Sequence, residues 1–510
     1  MPDSGRQSAL GSASEPRILI VGAGPTGLGA GYRLKELGYR NFLIVDRHPY
    51  VGGLAHSFTD AQGFTWDIGG HVMFSHYEYY DRVFERLMGD EFTLNDRESW
   101  VRILGKWVPY PFQNNIRYLP REAAYECLAG LIKAQSRTGA ADAISAATNF
   151  GEFIDAVFGS GIARLFMRPY NFKVWAHPAE MMDKKWIGER VAVIDVERAL
   201  KNVVLEQDDF GWGPNNRFKF PLRGGTGEFY RRFAPVLEGH IRLNAAVASI
   251  DSEAKIVRFA DGTTERYDIL ISTMPVDVLC GDVLPAPEAV RRAAAGLKHS
   301  GGYMVGVGIR RPCPSRKCWM YFPEDNCPFY RVTYLSNYSP FMTPDRERYY
   351  SLLCETSHSE HRPIDGGRIV EETVQGLVAA GLMTDQETED IVSTWVYHAD
   401  YSYPVPTVDR DRILATVMPW LEQRSIYSRG RFGMWKYEVA NTDHSLMQGV
   451  ELVNRLLLNE AERTIGFVYR ITDEGRGEAV QERSAFAGSG ERKPWHPEPT
   501  VVQRVPSRSP

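Results

Sequence analysis

The sequence predicts an α/β fold, and three observations predict it: a strand–turn–helix–strand unit near the start, a mainly helical block in the middle, and a later series of short aromatic, β-prone runs. The first observation decides the class. Ile18-Leu19-Ile20-Val21 is an apolar run of buried-strand length. Gly22-Ala23-Gly24-Pro25-Thr26-Gly27 turns the chain into a helix-like segment, and Phe42-Leu43-Ile44-Val45 returns to Asp46. Strand, glycine turn, helix and strand in this order form a Rossmann-like βαβ unit.

Each residue of the turn has a physical task in that unit. Gly22 permits the tight turn, Gly24 lets the backbone approach a pyrophosphate, and Gly27 lets the helix pack close to the strand. The helix N-terminus, including Thr26, offers N–H donors and a positive dipole end to phosphates. Asp46 stands where an acid binds ribose hydroxyls. The motif does not separate FAD from NAD. Val51-Gly52-Gly53-Leu54, soon after Asp46, resembles flavoproteins of the glutathione-reductase and amine-oxidase type, because paired glycines let the backbone lie against a flat cofactor.

Composition bounds the rest. At 510 residues the chain can build two or three domains. Its 43% hydrophobic and 24% charged content is that of a globular protein, and a net charge of -5 gives no basic surface for nucleic acid. No apolar run reaches spanning length, and the polar start lacks a secretory h-region. Cys127, Cys280, Cys313, Cys318, Cys327 and Cys354 include no CxxC, which fits reduced thiols in a cytoplasmic protein and no metal site.

Along the chain, Asp67-Ile68-Gly69-Gly70-His71 again suggests backbone pressed against something flat. Trp100–Ile103 and Lys106–Tyr110 read as a hairpin about Gly105, and residues 119–205 are mainly helical. Lys219 to Gly227 is a second glycine-dense turn, followed by strands near 241–250 and 267–272 that return to the dinucleotide domain. Residues 303–309, 319–322, 330–335 and 349–356 suit an antiparallel sheet walling a site, and 369–380 and 445–458 suit helices. The expected division is a tail at 1–15, an FAD-binding domain from 16–92, 224–297 and 426–470, a helical substrate domain at 112–223, an antiparallel sheet domain from 93–111 and 298–425, and a disordered tail at 473–510.

Several runs resemble the UDP-galactopyranose mutase family in its eukaryotic-type form: Gly69-Gly70-His71 with Phe74-Ser75-His76, Tyr110 to Asn115, Leu165 to Trp175, Gly188-Glu189-Arg190, Trp212 to Asn215, Tyr321 to Arg331, Ser336-Asn337-Tyr338 and Arg431 to Asn441. Together they span roughly 17–460. The resemblance implies an isomerase that interconverts UDP-galactopyranose and UDP-galactofuranose without net redox change, reduced FAD acting as a covalent nucleophile through N5. It implies Arg190 and Arg331 as the cations on the departing diphosphate, with hydroxyls from Tyr338, Tyr403 and Tyr437. It places the uracil and ribose against Tyr110, Phe112, Gln113, Phe166, Tyr170, Asn171 and Trp175, with Asn215, Trp319 and Tyr321 lining the remainder and Asn441 touching substrate and cofactor. For the flavin it adds Gly53, Leu54, Gly70, His71, Val247, Arg431 and Ser445, with His71 against the ring. It implies direct reduction by NADPH at Arg97 and Ser99.

The departures are small. Ala440-Asn441-Thr442-Asp443 differs from the family's usual Gly-Asn-Gln-Asp, Lys436 replaces a common arginine, and the loops near 180–184 and 339–348 diverge, where lid motion is expected. An amine-oxidase-type flavin oxidase or desaturase shares the cofactor domain but needs an apolar tunnel and no diphosphate clamp. Mutase activity on another nucleotide sugar, and the oligomeric state, stay open at this level.

Overall fold

The computed structural model describes residues 15–188, 190–210 and 216–481. Its first layer is a parallel sheet in the order Ile426–Ser428, Ile269–Ser272, Ile18–Val21, Phe42–Val45, Ile241–Arg242. All of Ile18–Val21 is buried, which explains why the strand reads as a continuous apolar run and not as an alternation. The helix Pro25–Glu36 crosses one face, and the helix Thr442–Leu458 packs on it, so this face is closed by segments from opposite ends of the chain. The other face is closed by Val276, Leu279, Val290 and the helix Arg410–Glu422 through Ile413, Leu414, Val417, Met418 and Leu421. That last helix lies within the stretch read from sequence as sheet domain, yet its apolar side belongs to the parallel-sheet core.

The second layer is a seven-stranded sheet in the order Ile391–Val405, Lys298–Ile309, Tyr350–His358, Arg331–Tyr334, Trp319–Tyr321, Ser99–Ile103, Lys106–Pro109. Its pairs are antiparallel except that Trp319–Tyr321 runs parallel to Ser99–Ile103. The expected hairpin about Gly105 is present, Trp100 facing Pro109 and Ile103 facing Lys106. The longest strand, Ile391–Val405, was not read from the sequence. It is an edge strand whose burial is broken by exposed positions, so it carries no continuous apolar run.

A helical body lies beside this sheet, with Arg121–Gln135 against Phe150–Ile162 and Arg168–Trp175 following a π-helical turn at Ala163–Met167. Residues 473–481 correct the expectation of a disordered tail from 473 onward. Gly477–Gln481 pairs antiparallel with Phe467–Ile471, and Gly475 turns against Phe153 and Val157 of the helical body. The polar composition concealed it, because a two-stranded hairpin gains its stability from the surface that it packs on. Residues 1–14, and 482–510 of the same tail, lie outside the described residues.

Two glycines set the helix packing on the parallel sheet. A Cβ on Gly449 would stand 2.0 Å from the Thr26 carbonyl oxygen, and one on Gly29 would stand 2.5 Å from that of Leu446. Gly449→Leu should therefore separate the two helices, lower stability by at least about 1–3 kcal/mol in a denaturant titration, and weaken cofactor retention by displacing Thr26. A variant as stable as the parent would show that the helices do not depend on this approach.

Candidate active site

The glycine turn and the paired glycines meet. A Cβ on Gly53 would lie 3.3 Å from Gly24 Cα, while one on Gly24 would find only the Gly52–Gly53 backbone, at 3.9–4.0 Å. The two turns thus form a backbone cradle with no side chain in it. Gly22, at φ +106°, faces Thr273, and Gly27 packs on the Gly22 carbonyl, which are the tasks that the motif requires. Asp46 is buried and accepts from the Ala23 and His48 amides at 2.7 and 2.8 Å, one on each oxygen. It braces the turn and keeps lone pairs for a ribose. Thr26 is buried beside Gly430, and Leu54 packs between two cores. Val247 packs on the parallel-sheet core. Ser445 donates its amide to the Asn441 carbonyl at 2.8 Å in the first turn of Thr442–Leu458. These residues fit a dinucleotide cofactor.

Between the layers stands a group organised by one carboxylate. Glu355, 2% exposed, accepts from Arg331 Nε and Nη2 at 2.6 and 2.7 Å, from the Tyr330 hydroxyl at 2.9 Å and from the Gly70 amide at 3.1 Å. Burial alone would raise its pKa, but Arg331 reverses that and holds it below the usual carboxylate range. The Gly70 contact adds a constraint that the sequence reading of Gly69-Gly70 did not include. A Cβ on Gly70 would stand 2.8 Å from Thr333 Oγ1 and 3.3 Å from Glu355 Oε1, so that glycine is required by the sheet. His71 follows. Burial first, then Arg431, pushes its pKa down to about 4, although Glu355 and the Gly69 carbonyl pull upward. Nδ1 is buried without a hydrogen bond of normal geometry among the described residues.

Arg190 and Arg431 differ from Arg331. Arg190 Nη2 donates only to the Tyr437 and Glu438 carbonyls and to Asn441 Oδ1, at 3.1–3.2 Å. Arg431 donates only to the Ser402 and Ala440 carbonyls, at 2.9–3.1 Å. Among the described residues neither has a carboxylate partner. Tyrosine rings link the cations. Arg190 lies 4.9 Å from the Tyr437 ring, Arg431 5.0 Å from that of Tyr403, and the Tyr403 hydroxyl meets that of Tyr330 at 3.1 Å. The result is a cationic, aromatic cleft suited to an anion.

An aromatic wall continues outward. Phe112 stacks on Phe166 at 4.6 Å, Phe166 on Tyr170 at 5.2 Å, and Tyr170 meets Tyr321 edge-on at 5.2 Å. Tyr321 touches Tyr110 and takes a hydrogen bond from Trp319 Nε1 at 2.6 Å. Arg97 stands 5.5 Å over Tyr110, with Ser99 buried two residues on. Trp175 packs against Tyr403 and Tyr437. Gln113 donates to the Ala192 carbonyl, and its buried Oε1 has no partner among the described residues; Asn171 donates to the Met167 carbonyl at 2.7 Å. Tyr338 is 1% exposed, its ring fixed among Phe218, Phe220 and Trp319, and it interacts electrostatically with Arg331. Asn215 lies outside the described residues.

Sequence reasoning missed Glu355 and Tyr330. The available signal was a lone acid within Tyr350–His358, a strand of mixed apolar and small polar residues. It also did not connect His76 with Asp443 and His444. Asp443 Oδ2 accepts from His76 Nδ1 at 2.7 Å and from the His76 amide at 3.2 Å, tying the His71 loop to the helix Thr442–Leu458. The three side chains lie close enough together for one ion. The two imidazoles stack at 15°, however, so their in-plane lone pairs run side by side and do not converge on one point. This group is a brace.

The pKa of His71 sets an acid sensitivity. An unfolded histidine titrates near 6.5 and this one near 4, so between those values the unfolded state binds more protons. The stability contribution is complete above about pH 6.5 and is lost as the pH falls toward 4. His71→Gln should flatten the slope of stability against pH within that window. An unchanged slope would place the sensitivity elsewhere.

Comparison with known proteins agrees with this geometry. Residues 25–432 match the model of the family described as flavin containing amine oxidoreductase. A solved structure of reduced UDP-galactopyranose mutase is 42% identical, with a TM-score of 0.85 over 88% of this chain and 96% of that one. A putative protoporphyrinogen oxidase from Exiguobacterium sp. shares the fold at 15% identity, with a TM-score of 0.64 over 88% of this chain and 100% of that one. Polyamine oxidase 7 of Oryza sativa subsp. japonica is 39% identical over 49 residues, 10% of either chain, so this chain spans only about a tenth of such curated relatives. An FAD-dependent enzyme, the chain belongs to the flavin-containing amine oxidoreductase family and, within it, to the UDP-galactopyranose mutases.

Proposed function

We propose that the chain interconverts UDP-galactopyranose and UDP-galactofuranose, using reduced FAD and NADPH as its reductant, in a cytoplasmic setting. The observation that carries this reading is a cleft holding Arg190 and Arg431 with no carboxylate partner among the described residues, beside Arg331. An oxidase of apolar amines gains nothing from uncompensated cations, whereas a nucleoside diphosphate leaving group needs them. Bound reduced FAD supplies a nucleophilic nitrogen, so that the sugar is released and recaptured without net redox change.

The chain's own residues do the remainder. Arg331 uses two of its five N–H donors on Glu355, which leaves three for phosphate oxygens. Arg190 and Arg331 stabilise the charge that builds on the diphosphate as the glycosidic bond breaks, and Tyr403 and Tyr437 donate hydroxyls beside them. The wall of Phe112, Phe166, Tyr170 and Tyr110 stacks the uracil, and Gln113 reads its edge through Oε1. His71 contacts the flavin and stays neutral at physiological pH.

The test is incubation of dithionite-reduced protein with UDP-galactofuranose, followed by chromatography. UDP-galactopyranose should accumulate, and amines should give no hydrogen peroxide. Arg190→Ala and Arg331→Ala should each cost turnover about ten- to a hundred-fold, a charge-assisted contact being worth roughly 1.5–3 kcal/mol. The double variant should lose less than the product of the two, because both contacts serve one group. Full turnover in either variant, or rapid amine oxidation, would return the chain to the oxidase class.

NADPH is assigned to Arg97, which stands over Tyr110 at the rim of the cleft. Arg97→Ala should slow flavin bleaching by NADPH while sparing activity driven by dithionite. Equal losses by both routes would make Arg97 a substrate contact.

A further inference from the structure

The hydroxyls of Tyr403 and Tyr330 are linked in series to the carboxylate of Glu355. Tyr330 is 2% exposed and immediately precedes the strand Arg331–Tyr334. Its backbone is held twice, the amide donating to the Glu355 carbonyl at 2.9 Å and the carbonyl accepting from the Phe322 amide at 3.0 Å. Its hydroxyl donates to Glu355 Oε2 at 2.9 Å and meets the Tyr403 hydroxyl at 3.1 Å. Tyr403 is half-buried, with its ring against Trp175 and Tyr437 and beside Arg431.

Proton counting gives the series a direction. Burial would raise the Glu355 pKa, but Arg331 holds it below the usual carboxylate range, so the group is ionised and only accepts. A tyrosine hydroxyl carries one proton, and that of Tyr330 is spent on Glu355. The proton between the two tyrosines therefore belongs to Tyr403. Both hydroxyls point toward the buried acid, and Tyr403 has only lone pairs left for any other neighbour.

We propose that Tyr330 is a positioning residue that reverses this series when a diphosphate enters the clamp: Tyr403 turns its proton to the anion, and Tyr330 turns its own from Glu355 to Tyr403. The inference rests on the mutase reading of the cleft. Tyr403 cannot turn alone in place, because two hydroxyl oxygens 3.1 Å apart with no proton between them repel. The reversal leaves no Glu355 oxygen unpaired: Oε2 keeps Arg331 Nη2 at 2.7 Å, and Oε1 keeps Arg331 Nε at 2.6 Å and the Gly70 amide at 3.1 Å. No covalent bond changes; each proton stays on its own oxygen and only the hydroxyls rotate. A hydroxyl that accepts from a second one is polarised by it, so Tyr403 backed by Tyr330 is a stronger donor than Tyr403 alone. The gain grows as charge builds on the departing diphosphate, and so falls mainly on the transition state.

The experiment measures turnover of the dithionite-reduced holoenzyme with UDP-galactofuranose, and UDP affinity by calorimetry, in the wild type, Tyr330→Phe, Tyr403→Phe and the double variant. Tyr330→Phe should lower kcat about two- to tenfold, with a smaller change in KM. In the Tyr403→Phe background the same substitution should cost little further, because Tyr330 acts through the Tyr403 hydroxyl. An equal loss in both backgrounds would make Tyr330 a brace of Glu355 alone and overturns the proposal. Both changes are isosteric, and thermal melts check that the fold survives them. UDP binding separates the proposal from the reading beneath it. A wild type that does not bind UDP overturns both, whereas a wild type that binds and turns over, with Tyr330→Phe at full kcat, overturns the proposal alone.

Discussion

The buried carboxylate of Glu355 is the constraint on which the rest of the cleft depends. It receives two N–H groups from Arg331, the Tyr330 hydroxyl and the Gly70 amide. A carboxylate removed from water so completely is tolerable only when its lone pairs are filled and a cation stands beside it. Glu355 has both, and each donor belongs to a different task. Arg331 is a cation of the proposed diphosphate clamp, Tyr330 leads through Tyr403 toward Arg431, and Gly70 carries the loop of His71. One acid therefore fixes Arg331 and the His71 loop relative to each other.

The charge balance of the cleft follows. Arg331 is offset by Glu355, while among the described residues Arg190 and Arg431 donate to carbonyl oxygens alone. Carbonyls orient a guanidinium without neutralising it, so the cleft keeps a positive excess for its ligand. Burial, reinforced by Arg431 and Arg331, holds His71 neutral. Several buried charges elsewhere are closed as ion pairs: Arg410 is paired with Glu438, and Arg429 and Arg455 share Glu422 and Glu462. The contrast sets the cleft apart from structural ion pairs.

The cofactor cradle obeys a different constraint, that of close backbone approach. Gly22, Gly24, Gly27 and Gly53 bring a strand, a helix and a second turn together, and Gly29 and Gly449 let the helix from the chain's end pack against the helix from its start. These are local steric requirements, which is why they can be read in a single sequence. Gly70 shows the limit of that reading: the residue type was legible, and the neighbour that demands it was not.

The sequence by itself determined the βαβ unit, the hairpin about Gly105, most strands and helices, and the residue types of the cleft. Each of these rests on periodicity, on glycine spacing or on runs that are contiguous in the chain, and all three are local properties. The tertiary structure decided the rest. It placed Arg410–Glu422 in the parallel-sheet core, ordered residues 473–481 against the helical body, and set Glu355 between Arg331 and Gly70. Those outcomes depend on which distant segments pack together: a carboxylate buried among partners 24 and 285 positions away leaves in the sequence only a lone acid within a strand of mixed composition.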